Sequence, residues 1–305
     1  MTQKRRFEAP TVLMLLGSYA VLGIGGWVWG ISGILSVLLV GIAVAQFSSL
    51  QHEVLHGHPF RHQILNEALV FPALMPWVPY LRFKDTHLQH HFDPALTDPY
   101  DDPESNYLDP DVWARTSSVM RGLLRFNNTL AGRVLIGPAL GTFIFLRDEV
   151  AFLRQGRRRV WLAWGLHLLG LLPVLAWLAW AGMPVWAYLL ACYFGTALLK
   201  IRTFLEHRAH EAFRARTVVV EDRGPLSYLF LNNNFHVVHH MHPNVPWYEL
   251  PALYRSRREH YLRRNEAYVY RSYPQVIRQY FWRAKDPVPH PVWPMRREES
   301  AQDQL

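Results

Sequence analysis

Sixteen histidines stand against a single cysteine in 305 residues, and the histidines are clustered. His52 and His56 are four apart in Gln51-His52-Glu53-Val54-Leu55-His56. His87, His90 and His91 form an H-x-x-H-H run in Thr86-His87-Leu88-Gln89-His90-His91, and His236, His239 and His240 repeat it in Phe235-His236-Val237-Val238-His239-His240. His207 and His210 follow in Glu206-His207-Arg208-Ala209-His210. On a helix, positions i, i+3 and i+4 share one face, so each run can aim several imidazoles at one ion. One H-x-x-x-H is a weak signal, but two copies of H-x-x-H-H beside it make a strong one. The lone Cys192 excludes a disulfide scaffold and a thiolate-held zinc or iron–sulfur site. Eight or more imidazoles exceed the four ligands that zinc ordinarily takes, and suit two metal ions. By ligand type alone, iron, copper, nickel and zinc all fit.

Half of the residues are hydrophobic, yet the mean hydropathy is near zero, so apolar and charged blocks must be segregated. High apolar and aromatic content excludes a disordered chain. Val12 to Trp29 and Ile31 to Leu50 carry no ionisable acid or base. Each is long enough for a helix to cross a bilayer, and the pair reads as a tight hairpin. Val160 to Trp180, interrupted only by His167, is a third candidate span. Pro184 to Leu199 is a fourth, carried by its flank to residue 203, and Ala181-Gly182-Met183-Pro184 is the turn between them. Lys4, Arg5 and Arg6 precede the first span, Arg154 and Arg157 to Arg159 precede the third, and Lys200 and Arg202 follow the fourth. Both hairpin tips are uncharged. The positive-inside rule therefore puts both termini, the middle segment and every histidine cluster on the cytoplasmic side. The first apolar block runs into a second with no small-residue cleavage site, so no signal peptide is expected. The expected architecture is all-α: one integral membrane domain over residues 1–305, with four transmembrane helices in two hairpins and a cytoplasmic helical cap made of 51–159 and 204–305. Ile64 to Phe83 and Leu130 to Leu146 are apolar but broken by Pro, Gly or charge, and read as interfacial or core-packing pieces. A location in the membrane near acyl chains favours redox chemistry with oxygen, and hence iron among the candidate metals.

The pattern resembles the membrane fatty acid desaturase family with its three histidine boxes. The matching residues are His52-Glu53-Val54-Leu55-His56, His87-Leu88-Gln89-His90-His91 and His236-Val237-Val238-His239-His240. Asn232-Asn233-Asn234-Phe235 and His242-Pro243 also look like the family's third-box surroundings, and the likeness covers roughly residues 45 to 250. The resemblance implies two iron ions held by these eight histidines and one more after the last span, His207, with His210 as the alternative. It implies oxygen as co-substrate, a lipid- or thioester-linked fatty acyl substrate and insertion of a double bond. Related hydroxylases and carotenoid ketolases share much of this layout, and Glu53 stands where many acyl-lipid desaturases have Asp. No Rossmann fingerprint, flavin motif or fused cytochrome b5-like His-Pro-Gly-Gly is present, so a separate ferredoxin, flavodoxin or cytochrome donor is implied. Carboxylates would orient the ligand rings, and Glu53, Asp85, Asp98, Asp102 and Glu206 are the candidates.

Plainer readings compete at several of these residues. His52-Glu53-x-x-His56 is also a zinc-protease signature, but that reading leaves six box histidines unused. A bis-histidine haem needs facing histidines inside the bilayer, and only His167 lies mid-span, where a packed or water-facing role is expected. His58, His62, His242, His260 and His290 read as surface groups or supports of the ligands. The acidic, Pro-rich run Asp93 to Asp111 lacks EF-hand spacing and reads as a rigid solvated loop, with donor docking as the alternative. The net charge of +8 includes the basic stretch Tyr254 to Arg264, which beside a membrane domain suits anionic headgroups rather than nucleic acid. Trp27, Trp29, Trp177, Trp180 and Trp186 read as an interfacial aromatic belt.

Overall fold

A computed structural model describes residues 7–294. The basic cluster Lys4, Arg5 and Arg6 lies outside the described residues. Fifteen α-helices account for most of the described chain. In order they are α1 Ala9–Trp27, α2 Gly33–Leu55, α3 Gln63–Leu69, α4 Tyr80–His90, α5 Pro110–Arg115, α6 Ser118–Asn127, α7 Leu130–Leu135 and α8 Gly137–Arg154. They continue with α9 Arg158–Trp180, α10 Val185–Thr203, α11 Pro225–Leu229, α12 His236–Met241, α13 Leu250–Ser256, α14 Arg258–Arg264 and α15 Tyr273–Tyr280. Two short strands, β1 Val219–Val220 and β2 Val269–Tyr270, pair in parallel, with Val219 opposite Val269 and Val220 opposite Tyr270.

Four helices are long and apolar enough to cross a membrane: Ala9–Gly30, Gly33–Leu55, Arg158–Trp180 and Val185–Thr203. They form the two expected hairpins. Their outward faces carry Leu13, Leu16, Ile34, Leu168 and Leu172, each more than half exposed, a pattern a bilayer resolves and water does not. The chain is an integral membrane protein. Trp27, Trp180 and Trp186 are exposed near the hairpin tips, as an aromatic belt requires, whereas Trp177 packs into the helical core. The second span continues as helix to Leu55, past the Leu50 expected from polarity, because Gln51, His52 and Glu53 are buried against the cap and need no water.

The central helix is α2, which packs on both α1 and α10. Small residues set the α2–α10 approach: a Cβ on Gly195 would lie 2.6 Å from the Gly41 carbonyl oxygen, and one on Gly41 only 2.8 Å from that of Ala191. Close backbone contact of this kind holds helices together where no hydrophobic drive separates them from lipid.

Between α9 and α10 runs a non-helical stretch, Phe71 to Pro79. Its backbone is fastened on both sides. Ala73 N–H donates to the Gly170 carbonyl at 2.9 Å, Tyr188 Oη donates to the Leu74 carbonyl at 2.9 Å, and His167 Nε2 donates to the Pro76 carbonyl at 3.0 Å. Irregular backbone at this depth is tolerable only when protein groups satisfy it. Within Ile64–Phe83, the part from Val70 to Pro76 is therefore the core-packing piece, served by His167, whereas Ile64 and Leu65 are exposed.

Candidate metal centre

Each histidine box rides on its own helical end. His52 sits in the last turn of α2 and His56 caps it. His87 and His90 occupy the last turn of α4, with His91 as its cap. His236, His239 and His240 lie on α12, a helix of six residues. That short helix needs outside support. Val237 N–H donates to the Val218 carbonyl at 3.1 Å, tying α12 to the strand edge. The three asparagines before it each anchor a different partner: Asn232 Nδ2 donates to the Trp247 carbonyl, Asn233 Nδ2 to Glu206 Oε1 and Asn234 Nδ2 to the Val220 carbonyl. Asn232 also adopts a φ of 54°, a left-handed conformation that Asn tolerates.

Nine histidines converge in two adjacent groups. His52, His56, His87, His91 and His239 form one, and His90, His207, His236 and His240 the other, with the ligand atoms of each group all within 4.8 Å of one another. Neighbours in sequence, His90 with His91 and His239 with His240, divide between the groups, so the two lie side by side. The His91 and His240 rings stack across the divide with centroids 4.4 Å apart. His207 belongs to the second group, whereas His210 turns away toward Glu266 at 3.3 Å.

Ring nitrogens face ring nitrogens. His90 Nε2 and His207 Nε2 are 2.8 Å apart, His207 and His236 3.0 Å, His87 and His91 3.0 Å, and His91 and His239 3.1 Å. Two nitrogens each about 2.1 Å from one ion and at right angles would sit about 3 Å apart. The buried Nε2 atoms of His52 and His56 have no hydrogen-bond partner among the described residues. Unpartnered buried imidazole nitrogens converging at this spacing fit a metal far better than they fit each other.

The outer nitrogens are held by polar partners. With protons on Nδ1, His90 donates to Asp102 Oδ1 at 2.8 Å, His87 to Glu104 Oε1 at 2.8 Å and His236 to Asn233 Oδ1 at 3.2 Å. Such bonds fix the tautomer that leaves Nε2 free to ligate. Asp102 is itself fixed by the backbone N–H groups of Thr97 and Glu104, at 2.8 and 2.9 Å. The acidic loop is solvated at Tyr100, Asp101 and Asn106 but not throughout: Asp102 is 5% exposed and, with Glu104, faces the histidines. Of the expected carboxylates, Asp102 takes this role directly, and Glu206 approaches His236 Nδ1 at 3.8 Å while bonding Arg202 and Asn233. Asp85 instead pairs with Arg82 and Arg159, and Asp98 caps the turn at Tyr100 and Asp101. Glu53 accepts from the Trp247 N–H. Glu104 stands in the acidic run and Asn233 in the triple-Asn segment before the third box, but no spacing marks either as the partner of a ligand ring. Of the remaining histidines, His58 and His290 are buried rather than superficial, His58 against Glu8 at 2.8 Å and His290 against Thr97 at 3.1 Å.

Electrostatics favour neutral ligands. Burial lowers His56 to about 2 and also depresses His91, His207, His236 and His239, each helped by neighbouring imidazoles. His90 is the exception: burial works against its charge, but Glu104 and Asp102 lift it to about 9.

Nine converging imidazoles, six of them buried, with carboxylates behind them and four membrane-spanning helices beside them, make a donor set for two metal ions in a membrane protein. A protein-family model described as fatty acid desaturase matches residues 26–272, most of the chain. No curated protein matches it. With all three histidine boxes inside that match, the chain belongs to the fatty acid desaturase family of membrane di-iron oxidoreductases.

Proposed function

We propose that the protein inserts a double bond into a lipid- or thioester-linked fatty acyl chain, consuming oxygen. Two iron ions would be held by His52, His56, His87, His91 and His239 on one side and His90, His207, His236 and His240 on the other. The carrying observation is this five-plus-four division of nine converging imidazoles. Bound iron would supply oxygen activation, which no side chain can supply for an unactivated C–H bond. The chain's own groups position it: Asp102, Glu104 and Asn233 hold ring tautomers, and the buried surroundings exclude bulk water. The balance is one oxygen, two protons and two external electrons, with two hydrogens leaving the acyl chain and two waters formed. A separate ferredoxin, flavodoxin or cytochrome provides the external electrons.

Arg158, Arg159, Lys200 and Arg202 lie at the same span ends as the histidines, and the tips at 28–33 and 181–184 are uncharged, which supports a cytoplasmic centre with both termini on that side. The zinc-protease reading is disfavoured by Glu53, whose carboxylate is engaged by Trp247 N–H at 2.8 Å instead of standing ready as a base.

Mass spectrometry of total lipids from cells expressing the wild type or His239→Ala tests the proposal. A species two hydrogens lighter, absent in the variant, is expected. A species one oxygen heavier would instead make the enzyme a hydroxylase or ketolase.

A further inference from the structure

Helix α6, Ser118–Asn127, has no buried residue among those described, yet it is a well-started helix: Ser117 Oγ accepts the Met120 N–H. A ten-residue helix is marginal in water unless something covers its apolar face. Val119, Leu123 and Phe126 fall on one face, at i, i+4 and i+7, with Met120 and Leu124 beside them, while Arg121 and Arg125 lie together on the other. Val119 is 75% exposed, and Met120 and Leu123 are each exposed by more than two-fifths. The helix contains no Asp or Glu, and Arg115 just before it adds a third positive charge.

The helix stands next to the bilayer. The Phe126 carbonyl abuts Gly132 of α7, where a Cβ would come within 1.8 Å of it. Helix α7 packs on the membrane-spanning α10, and Tyr193 Oη of α10 donates to the Leu135 carbonyl at its end. On another side of α7, Ala131 N–H donates to the Phe281 carbonyl at 3.0 Å, which brings up exposed Phe281 and Trp282. Apolar side chains of α6 and of the Phe281–Trp282 pair therefore flank one membrane-anchored helix.

We propose that α6 lies in the membrane surface, with Val119, Met120 and Leu123 among the acyl chains and Arg115, Arg121 and Arg125 on the phosphates of anionic lipids, and that Trp282 shares the same interface. Charge selects this occupant: an apolar stripe flanked only by arginines suits a negatively charged lipid surface. The helix thereby fastens the loop that carries Asp102 and Glu104 to the bilayer.

The full-length protein, reconstituted in phosphatidylcholine bilayers containing brominated lipid, provides the test. Bimane is attached to Val119→Cys or, on the arginine side, three residues before Arg121, to Ser118→Cys, with native Cys192 buried from the reagent. Quenching severalfold stronger at 119 than at 118 is expected. Phosphatidylglycerol should deepen quenching at 119, and Arg121→Gln with Arg125→Gln should abolish that increment. Equal quenching at both sites overturns the proposal. So does an unquenched label at 119 that becomes exposed on dilution to one copy per bilayer, since a second copy is then the cover. No response to phosphatidylglycerol overturns the headgroup assignment.

Discussion

Glu53 Oε1 accepts the Trp247 backbone N–H at 2.8 Å, across 194 residues of sequence. The bond ties the end of the second span, which carries His52 and His56, to the segment just beyond His236, His239 and His240. Glu53→Ala leaves that buried N–H unsatisfied and should cost about 1–3 kcal/mol. Glu53→Gln keeps a carbonyl acceptor and should retain stability, iron and turnover. Thermal unfolding and product formation check this. An inactive but stable Glu53→Gln enzyme would point to a carboxylate doing chemistry, as a protease base would.

Asp102 accepts three hydrogen bonds, from Thr97 N–H, Glu104 N–H and His90 Nδ1. Asparagine offers only one acceptor oxygen and would turn an NH2 toward a donor. Asp102→Asn should therefore weaken iron retention or activity by about 10–100-fold, the usual loss when a carboxylate behind a metal-bound histidine is removed. Chelator titration of the loaded protein measures it, and wild-type retention would show that His90 needs no partner.

Tyr188 and Leu74 meet inside the membrane domain, where no water replaces a lost bond. Tyr188→Phe leaves the Leu74 carbonyl with only the weak Cys192 thiol donor at 3.6 Å and should lower stability by about 1 kcal/mol, seen as a lower unfolding temperature, with metal content unchanged below that temperature. An unchanged melting point would mean that the Phe71–Pro79 stretch is held by other contacts.

His290 ties the C-terminal stretch to the acidic loop: its Nε2 donates to Thr97 Oγ1 at 3.1 Å and its Nδ1 accepts the Val292 N–H at 3.3 Å, a pattern that requires the neutral ring. Burial, with Arg216 nearby, lowers it to about 4 from an ordinary 6.5. A depressed value means that folding releases a proton. The stabilisation is complete above pH about 6.5 and is lost as pH falls toward about 4. The protection factors of the Leu108 and His290 amides, which pair with this stretch, should fall over that window once the intrinsic pH dependence of exchange is removed, and His290→Gln should flatten the response. Protection independent of pH in the wild type would contradict it.

Histidine spacing made eight of the nine clustered imidazoles legible, because i, i+3 and i+4 on a helix end leave little geometric freedom. The four spans were equally legible from uncharged length. The division of His90 from His91, and of His239 from His240, was not, since it depends on how α4 and α12 meet in space. Nor was Glu104, because a carboxylate in an acidic Pro-rich run looks solvated until Asp102 and the Thr97 backbone turn it inward. The choice of His207 over His210 needed the strand-edge bridge between His207 and Thr217, a contact no local pattern announces. The Phe71–Pro79 insertion was hidden for the same reason: its partners Gly170 and Tyr188 lie about a hundred residues away.

Metal analysis of the purified protein, paired with Mössbauer spectroscopy after growth on enriched iron, tests the central claim most directly. Two irons per chain in nitrogen-rich sites are expected, with one lost in His207→Ala and both retained in His210→Ala. A single zinc per chain, or an iron content indifferent to His207, would contradict a di-iron centre divided between these two histidine groups.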